Sequence, residues 1–238
     1  MNLPMHPIMQ QSFAVIDQEI GDHSFSATEY AIVRRVIHST ADFDFKQLLR
    51  FSPGAIATAI AALQQGCPII TDVGMVKQGV ANMVAQTFGN PLISAVEQVT
   101  EAPPGKTRTE TGLLECLQRF PQAIVVIGNA PTALLALCQQ LQAHSGTAGL
   151  APALVIGAPV GFISVVESKV ALAATPIPQI RVEGRKGGSP VAAAILNALL
   201  VLAWEQQPKP LEPSHVLEAL EPNCDRALLP THSTNQSH

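Results

Sequence analysis

Short apolar runs without polar alternation recur along the middle of the chain, and a segment with helical spacing follows most of them. Buried strands of a parallel sheet have this pattern, because helices cover both faces of such a sheet. The runs predict strands over residues 67–71, 91–96, 123–127, 153–156 and 179–183.

Apolar residues three and four positions apart predict helices between these strands and ahead of the first. The clearest case follows Ser26 and Glu29, which form a capping box and start a helix near Ala27 by satisfying its free amide groups. Ser12 is expected to cap an earlier helix that Gly21 ends. Further helices are predicted over residues 52–66, 78–87, 110–120, 131–143, 161–174 and 189–204.

The alternation of strands and helices indicates an α/β protein. We expect a single-domain layered fold with a mostly parallel central sheet and helices on both faces. The 238 residues are 47% hydrophobic but only 4% aromatic, so Ala, Val, Ile and Leu must fill the core. The domain is predicted to span residues 1–206. Helical periodicity fades afterwards, and residues 207–238 are predicted to be a proline-rich tail that is extended or partly disordered.

Charge and composition narrow the range of partners. The net charge is −4, basic residues cluster only at 34–35 and 185–186, and aromatic residues are few, which argues against nucleic acid. The longest apolar segment, 191–204, is too short to span a membrane, and residues 1–10 lack the features of a signal peptide. We therefore expect a cytoplasmic protein. The four cysteines are dispersed, and no metal site or cofactor is predicted.

The strongest candidate chemistry lies in the helix that starts near Ala27. Arg35 and His38 are three positions apart, so their side chains project from one stripe of the helix and can reach the same object. Histidine carries and releases a proton near neutral pH, while arginine supplies a fixed positive charge. The alternative is that both residues belong to a solvated helix end.

Glycine-containing loops after three of the predicted strands form a second candidate feature. In parallel sheets such loops meet helix N-termini, whose free amides suit an anion. Asn129 lies in the first loop, and Arg185 and Lys186 lie in the third, so these three residues are candidate contacts for carboxylates. The glycine fingerprint of dinucleotide sites is missing. A ligand with several dispersed negative charges fits better. The loops span residues 128–132, 157–161 and 184–189.

Six separated segments carry a resemblance to the precorrin-8X methylmutase family, which includes the cobalt-precorrin-8 methylmutases. The resemblance extends over about residues 6 to 203. The segments are QSF at 11–13 with Asp17 and Glu19, RVIHSTAD at 35–42, GCPIITDVGMV at 66–76, IGNAPTAL at 127–134, GAPVGF at 157–162 and GRKGGS at 184–189.

The resemblance implies a corrin-ring methylmutase of cobalamin biosynthesis. Such an isomerase moves a methyl group from C-11 to C-12 of the macrocycle and yields hydrogenobyrinic acid or its cobalt counterpart, cobyrinic acid. The family's catalytic histidine matches His38, and positions that hold substrate match Ser12 and Arg35. A homodimer is also implied. A hand-over of the corrinoid to neighbouring enzymes of the cobalamin pathway is a further expectation.

The sequence also allows other interpretations. The chain could be a corrinoid-binding or carrier protein without turnover, which would not need His38, or a sugar-phosphate or nucleotide enzyme of the same fold class. Single residues have structural alternatives too: Ser12 as a helix cap only, and Asp42 as a cap for the turn after His38. Solvent exposure is the default expectation for three further charged residues, Lys77, Glu167 and Lys169.

Overall fold

Nine α-helices and six strands make up the part of the chain that the computed structural model describes, residues 6–143 and 151–207. The predicted tail lies outside this part from residue 208 onward. The helices are α1 (Pro7–Glu19), α2 (Ala27–Thr40), α3 (Phe45–Leu48), α4 (Ala55–Gln64), α5 (Gly74–Gln86), α6 (Arg108–Arg119), α7 (Pro131–Ala143), α8 (Val165–Ala173) and α9 (Ser189–Glu205). The strands are β1 (Leu49–Phe51), β2 (Ile69–Thr71), β3 (Leu92–Ser94), β4 (Ile124–Ile127), β5 (Leu154–Gly157) and β6 (Gln179–Val182).

The six strands form one sheet in the order β1-β6-β5-β4-β2-β3. All neighbours pair in parallel except β1, which runs antiparallel to β6. Every residue of β4 and β5 is buried, which explains why these strands are apolar throughout rather than alternating. The predicted α/β fold with a mostly parallel central sheet is confirmed.

Two hydrophobic cores lie on opposite faces of the sheet. Ile124 and Val126 of β4 face the core that α1, α2, α4, α5 and α9 cover. Val125 and Ile127 point the other way, into the core of α6, α7 and α8. Because side chains alternate along a strand, one continuous apolar run supplies both cores. Helix α9 lies in the centre of the first core and contacts α2, α4 and α5, which places it directly behind the helix that carries His38.

Helix α1 begins earlier than its sequence predicts, and the expected capping role of Ser12 is wrong. The helix starts at Pro7, whose missing N–H is not needed in a first turn, and His6 is its N-cap. The His6 side chain accepts a hydrogen bond from the backbone N–H of Ile8, over 3.2 Å. Ser12 therefore lies within the helix, where its side chain is available for other contacts.

The helix predicted over residues 161–174 begins only at Val165. Gly161 and Ser164 have φ angles of 140° and 58°, which a continuous right-handed helix cannot contain. The missing turn leaves Phe162 and Ile163 in an exposed loop ahead of α8. A second difference is the segment that forms α3 and β1, which was not predicted because three or four residues carry too little periodicity.

Candidate active site

His38 lies in the last turn of α2, a helix that starts where its capping box predicts. Both halves of the box are present, between Ser26 and Glu29. The Nδ1 atom of His38 and the Oγ atom of Ser12 are 2.7 Å apart, so a hydrogen bond joins α2 to the middle of α1. This bond fixes the plane of the imidazole. The Nε2 atom has no hydrogen-bond partner among residues 6–143 and 151–207.

A second set of contacts holds α1 against α2 one turn away. Arg34 donates to a carboxylate oxygen of Asp17 over 2.9 Å, and the hydroxyl of Tyr30 donates to the same carboxylate. Burial and this carboxylate raise the pKa of Tyr30 to about 12, so the phenol remains a donor. The guanidinium of Arg34 lies 4.4 Å from the ring centre of Phe13, and the Phe13 ring is nearly perpendicular to that of His38, with 5.4 Å between their centres. The histidine is thus supported by two helices.

Arg35 has a half-buried side chain and, within the described part of the chain, makes neither a hydrogen bond nor an ion pair. Burial lowers its pKa, yet an arginine stays charged at any physiological pH. Burying a charge costs free energy because the charge loses its water. A carboxylate or phosphate next to a buried arginine normally offsets that cost. The unpaired guanidinium therefore indicates a place where an anionic group of a ligand can bind.

Arg35 and His38 share the wall of a cavity of about 370 Å³. Helix α9 forms its floor with small side chains, among them Ala193 and Ala194. A methyl group on Gly79 would come within 2.9 Å of the Cβ atom of Ala193, so α5 and α9 pack too closely for a larger residue there. The full lining is Met9, Arg35, His38, Ser39, Met75, Gly79, Ser189, Pro190, Ala193, Ala194 and Asn197.

In the first of the three loops predicted to bind an anion, the backbone amides already bond to a carboxylate of the protein itself. The buried carboxylate of Asp72 accepts hydrogen bonds from the amides of Gly128, Asn129 and Ala130, over 3.1, 2.6 and 2.9 Å. Its other oxygen accepts from the amide of Val73. Burial raises the pKa of Asp72, and the four amide bonds oppose this shift. The expectation that these amides bind a ligand is therefore wrong.

The second and third loops are joined to each other through their backbones. The amide of Gly188 donates to the carbonyl of Ala158 over 2.8 Å, and the amide of Gly161 donates to the carbonyl of Arg185 over 3.3 Å. A side chain at Gly187 would bring its Cβ atom within 2.4 Å of the carbonyl oxygen of Ala158, and its φ is 151°. Only glycine fits there, so the GRKGGS motif has a structural reason at this position.

The three loop candidates do not line the cavity. Asn129 is exposed, and its backbone amide donates a hydrogen bond to Asp72. Arg185 is exposed as well, with its guanidinium 5.6 Å from the ring centre of Phe162. Lys186 forms ion pairs with Asp42 and Asp44, which follow α2, over 2.6 Å each. Asp42 also accepts a hydrogen bond from the amide of Asp44, as expected of a residue that caps this turn.

Lys77, Glu167 and Lys169, which the sequence predicts to be exposed to solvent, differ in how deeply they are buried. Glu167 is exposed, and Lys77 pairs with Glu97 near the surface over 2.7 Å. Lys169 is the exception, because only 2% of its surface is exposed. Its Nζ atom donates to the carbonyls of Gly184 and Lys186 over 2.8 and 2.7 Å. The expectation for Lys169 is wrong, because its amine turns inward to these two carbonyls and the side chain is buried with it.

Within residues 6–143 and 151–207, no group of three or more His, Cys, Asp or Glu side chains is arranged to hold a metal ion. None of the helices in this part has the length and apolar character that crossing a bilayer requires.

The chain is thus an α/β protein with a cavity of small-molecule size, whose wall holds a serine-bonded histidine and an arginine that has no partner in the described part of the chain. Several methylmutases are similar to this chain in sequence. A cobalt-precorrin-8 methylmutase from Synechocystis sp. is 57% identical over 215 residues, covering 84% of this chain and 97% of the relative. A precorrin-8X methylmutase from Pseudomonas aeruginosa is 41% identical over 201 residues, covering 81% and 93%.

A solved structure and a family model agree with these relatives. The crystal structure of a precorrin-8X methylmutase from Thermus thermophilus superposes with a TM-score of 0.74 at 41% identity, over 84% of this chain and 98% of that one. The family model described as precorrin-8X methylmutase matches residues 7–202. The chain belongs to the precorrin-8X methylmutase family.

Proposed function

We propose that this protein is a corrin-ring methylmutase, an isomerase of cobalamin biosynthesis. It moves a methyl group from C-11 to C-12 of precorrin-8X or cobalt-precorrin-8 and gives hydrogenobyrinic acid or cobyrinic acid. The observation that carries the proposal is that Arg35, without a partner among the described residues, and His38, bonded to Ser12, lie in one cavity wall. The names of the relatives support the same reaction.

His38 acts as the acid. Its Nδ1 atom is taken by Ser12, so Nε2 is the atom that reaches the substrate. A proton or hydrogen bond from Nε2 to the imine region of ring C draws electron density out of the conjugated system while the methyl group migrates. General acid catalysis contributes about 10²–10⁴-fold, and holding the ring in a reactive shape must supply the remainder.

Cationic side chains hold the acetate and propionate arms of the macrocycle. Arg35 binds one carboxylate inside the cavity, for which the two-pronged geometry of a guanidinium is suited. Lys186 exchanges Asp42 and Asp44 for a carboxylate arm of the ligand, and Arg185 and Asn129 contact further arms from the exposed loops. Apolar contacts from the floor of the cavity and from Met9 and Met75 support the ring itself.

The decisive experiment compares turnover of the parent protein with that of His38→Ala. Metal-free and cobalt-loaded precursors are incubated in parallel, and the visible spectrum follows conversion of the chromophore. We expect product from at least one precursor with the parent protein and a loss of about 10²-fold or more in His38→Ala. His23→Ala is a matched control, because His23 stacks on Tyr30 outside the cavity. Binding of both precursors without spectral conversion would identify a carrier instead.

A homodimer is the second part of the proposal. A volume of about 370 Å³ lies at the low end of the range for ligand pockets, roughly 300–1,000 Å³, whereas a macrocycle with carboxylate arms is a large ligand. Phe162 and Ile163 are 82% and 80% exposed, which suits a contact with a second copy. Sedimentation of the parent protein and of Phe162→Asp tests this, since the substitution should convert a dimer to a monomer.

The cellular setting completes the proposal. We expect the protein to act in the cytoplasm and to hand its product to neighbouring enzymes of the cobalamin pathway. Transfer without release is measured by adding an excess of inactive His38→Ala protein as a trap for free corrinoid. A hand-over predicts that the trap does not slow the next step of the pathway, whereas free diffusion predicts that it does.

A further inference from the structure

A buried lysine lies against the loop of residues 184–188, although a lysine in a helix is normally exposed on its surface. Lys169 projects from α8, and its Nζ atom donates to the carbonyls of Gly184 and Lys186, on either side of Arg185. No carboxylate pairs with it among the described residues. The protein thus keeps an ammonium group in its interior solely for two backbone carbonyls of this loop.

The loop that Lys169 holds is connected both to the lining of the cavity and to the segment that follows the helix of His38. It leads directly into Ser189 and Pro190, which line the cavity from the start of α9. Lys186 reaches from the same loop to Asp42 and Asp44, which follow the helix of His38. The position of the loop therefore sets where one rim of the cavity lies relative to the histidine.

The chemistry of the amine suits this task under any protonation state. An ammonium group has three N–H donors and a neutral amine has two, so both carbonyls remain bonded when the proton leaves. Burial lowers the pKa of Lys169 to about 8, and the group therefore loses its charge more easily than a surface lysine. What the site requires is a donor with this reach, which an apolar side chain of similar length lacks.

We propose that Lys169 is a positioning residue for corrinoid binding, which acts by fixing the 184–188 loop. The inference rests on the proposed function, because the loop is taken to contact the carboxylate arms of the substrate. Lys169 itself does not touch the ligand. Its loss leaves the histidine and the cavity floor intact but allows Arg185, Lys186 and Pro190 to move.

The test compares Lys169→Met with the parent protein in two measurements. Titration with hydrogenobyrinic acid, followed by visible absorbance, gives the dissociation constant, and hydrogen exchange gives the protection of the amides of residues 184–188. We expect the dissociation constant to rise about tenfold, from the loss of two hydrogen bonds that order the loop, together with faster exchange there. The melting temperature should stay close to that of the parent, because a methionine fills the space without a buried charge.

Lys46→Met is the matched control, since Lys46 also donates to a backbone carbonyl, that of Ile20, but outside the loop. It should bind hydrogenobyrinic acid as the parent does. If Lys169→Met does not fold, Lys169→Leu, which likewise has no hydrogen-bond donor, is measured in the same way. Parental affinity and parental exchange in either variant overturn the inference. If the parent protein binds neither hydrogenobyrinic acid nor cobyrinic acid, the proposed function is refuted, and loop exchange alone decides the role of Lys169.

Discussion

Replacing Asp72 by alanine should be among the most destabilising single changes in this protein. The residue is fully buried, and its carboxylate accepts hydrogen bonds from four backbone amides that lie after β2 and β4. A buried amide that loses its acceptor costs about 1–3 kcal/mol, so four of them amount to at least about 4 kcal/mol even with some relaxation. That is a large part of a typical total of about 5–15 kcal/mol.

Asp72→Asn separates the role of the oxygens from that of the charge. One amide oxygen can still accept from Gly128, Asn129 and Ala130, while the new NH₂ group faces the N–H of Val73 and loses that bond. We expect a loss of about 1–3 kcal/mol, partly offset because no charge remains buried.

Urea unfolding followed by circular dichroism measures both variants, and an unchanged slope with urea shows that the same surface unfolds. Asp22→Ala is the control, because this exposed carboxylate has no hydrogen bond among the described residues and should change stability by less than about 0.5 kcal/mol. Equal losses for Asp72→Ala and Asp72→Asn, or a loss in Asp72→Ala within the range of the control, would refute the reasoning.

Three further predictions address packing, catalysis and pH. In Gly112→Ala the new methyl would lie 2.0 Å from the carbonyl oxygen of Ala95. The free energy of unfolding should fall by about 1–3 kcal/mol in the same assay. Gly74→Ala is the control, because its new methyl would lie 3.5 Å from the nearest atom and should cost no such loss. Ser12→Ala should lower kcat about tenfold, since the imidazole loses the bond that orients it, while the melting temperature barely changes because alanine favours the middle of a helix; an unchanged kcat would contradict this. Burial lowers the pKa of Lys169 from 10.5 to about 8, so the unfolded chain binds more protons between these values, and the free energy of unfolding should rise with pH across that window in the parent but less in Lys169→Met. Parallel pH curves for the two proteins would contradict that prediction.

Local sequence was sufficient for the features that depend on neighbouring residues. The capping box at Ser26 fixed the start of α2, and the spacing of Arg35 and His38 along that helix brought them to one cavity. The strand predictions succeeded for a similar reason, because burial on both faces leaves apolar runs that need no alternation. In these cases the signal and the structure lie within one turn or one strand.

Features that depend on distant residues could not be predicted in this way. Ser12 meets His38 across 26 positions, and only the family resemblance placed the two together. Asp72 bonds to amides 56 to 58 positions away, so nothing near it in the sequence indicates its partners. Lys169 has the sequence surroundings of an exposed helical lysine. Its burial follows from the path of a loop 15 to 17 residues further on.

The use of Asp72 also decides which kind of anion the site can recognise. Phosphate-binding α/β proteins present free amides at a helix N-terminus, but here the protein's own carboxylate occupies the amides ahead of α7. The amide of Gly188, at the start of α9, likewise donates to the carbonyl of Ala158. The groups left to bind an anion are therefore side-chain cations: Arg35 in the cavity wall, which has no partner among residues 6–143 and 151–207, and Lys186 in a neighbouring loop, where it pairs with Asp42 and Asp44. Guanidinium and ammonium groups spread over separate elements suit several dispersed carboxylates better than one compact phosphate, which favours a polyacid macrocycle over a sugar phosphate or a nucleotide.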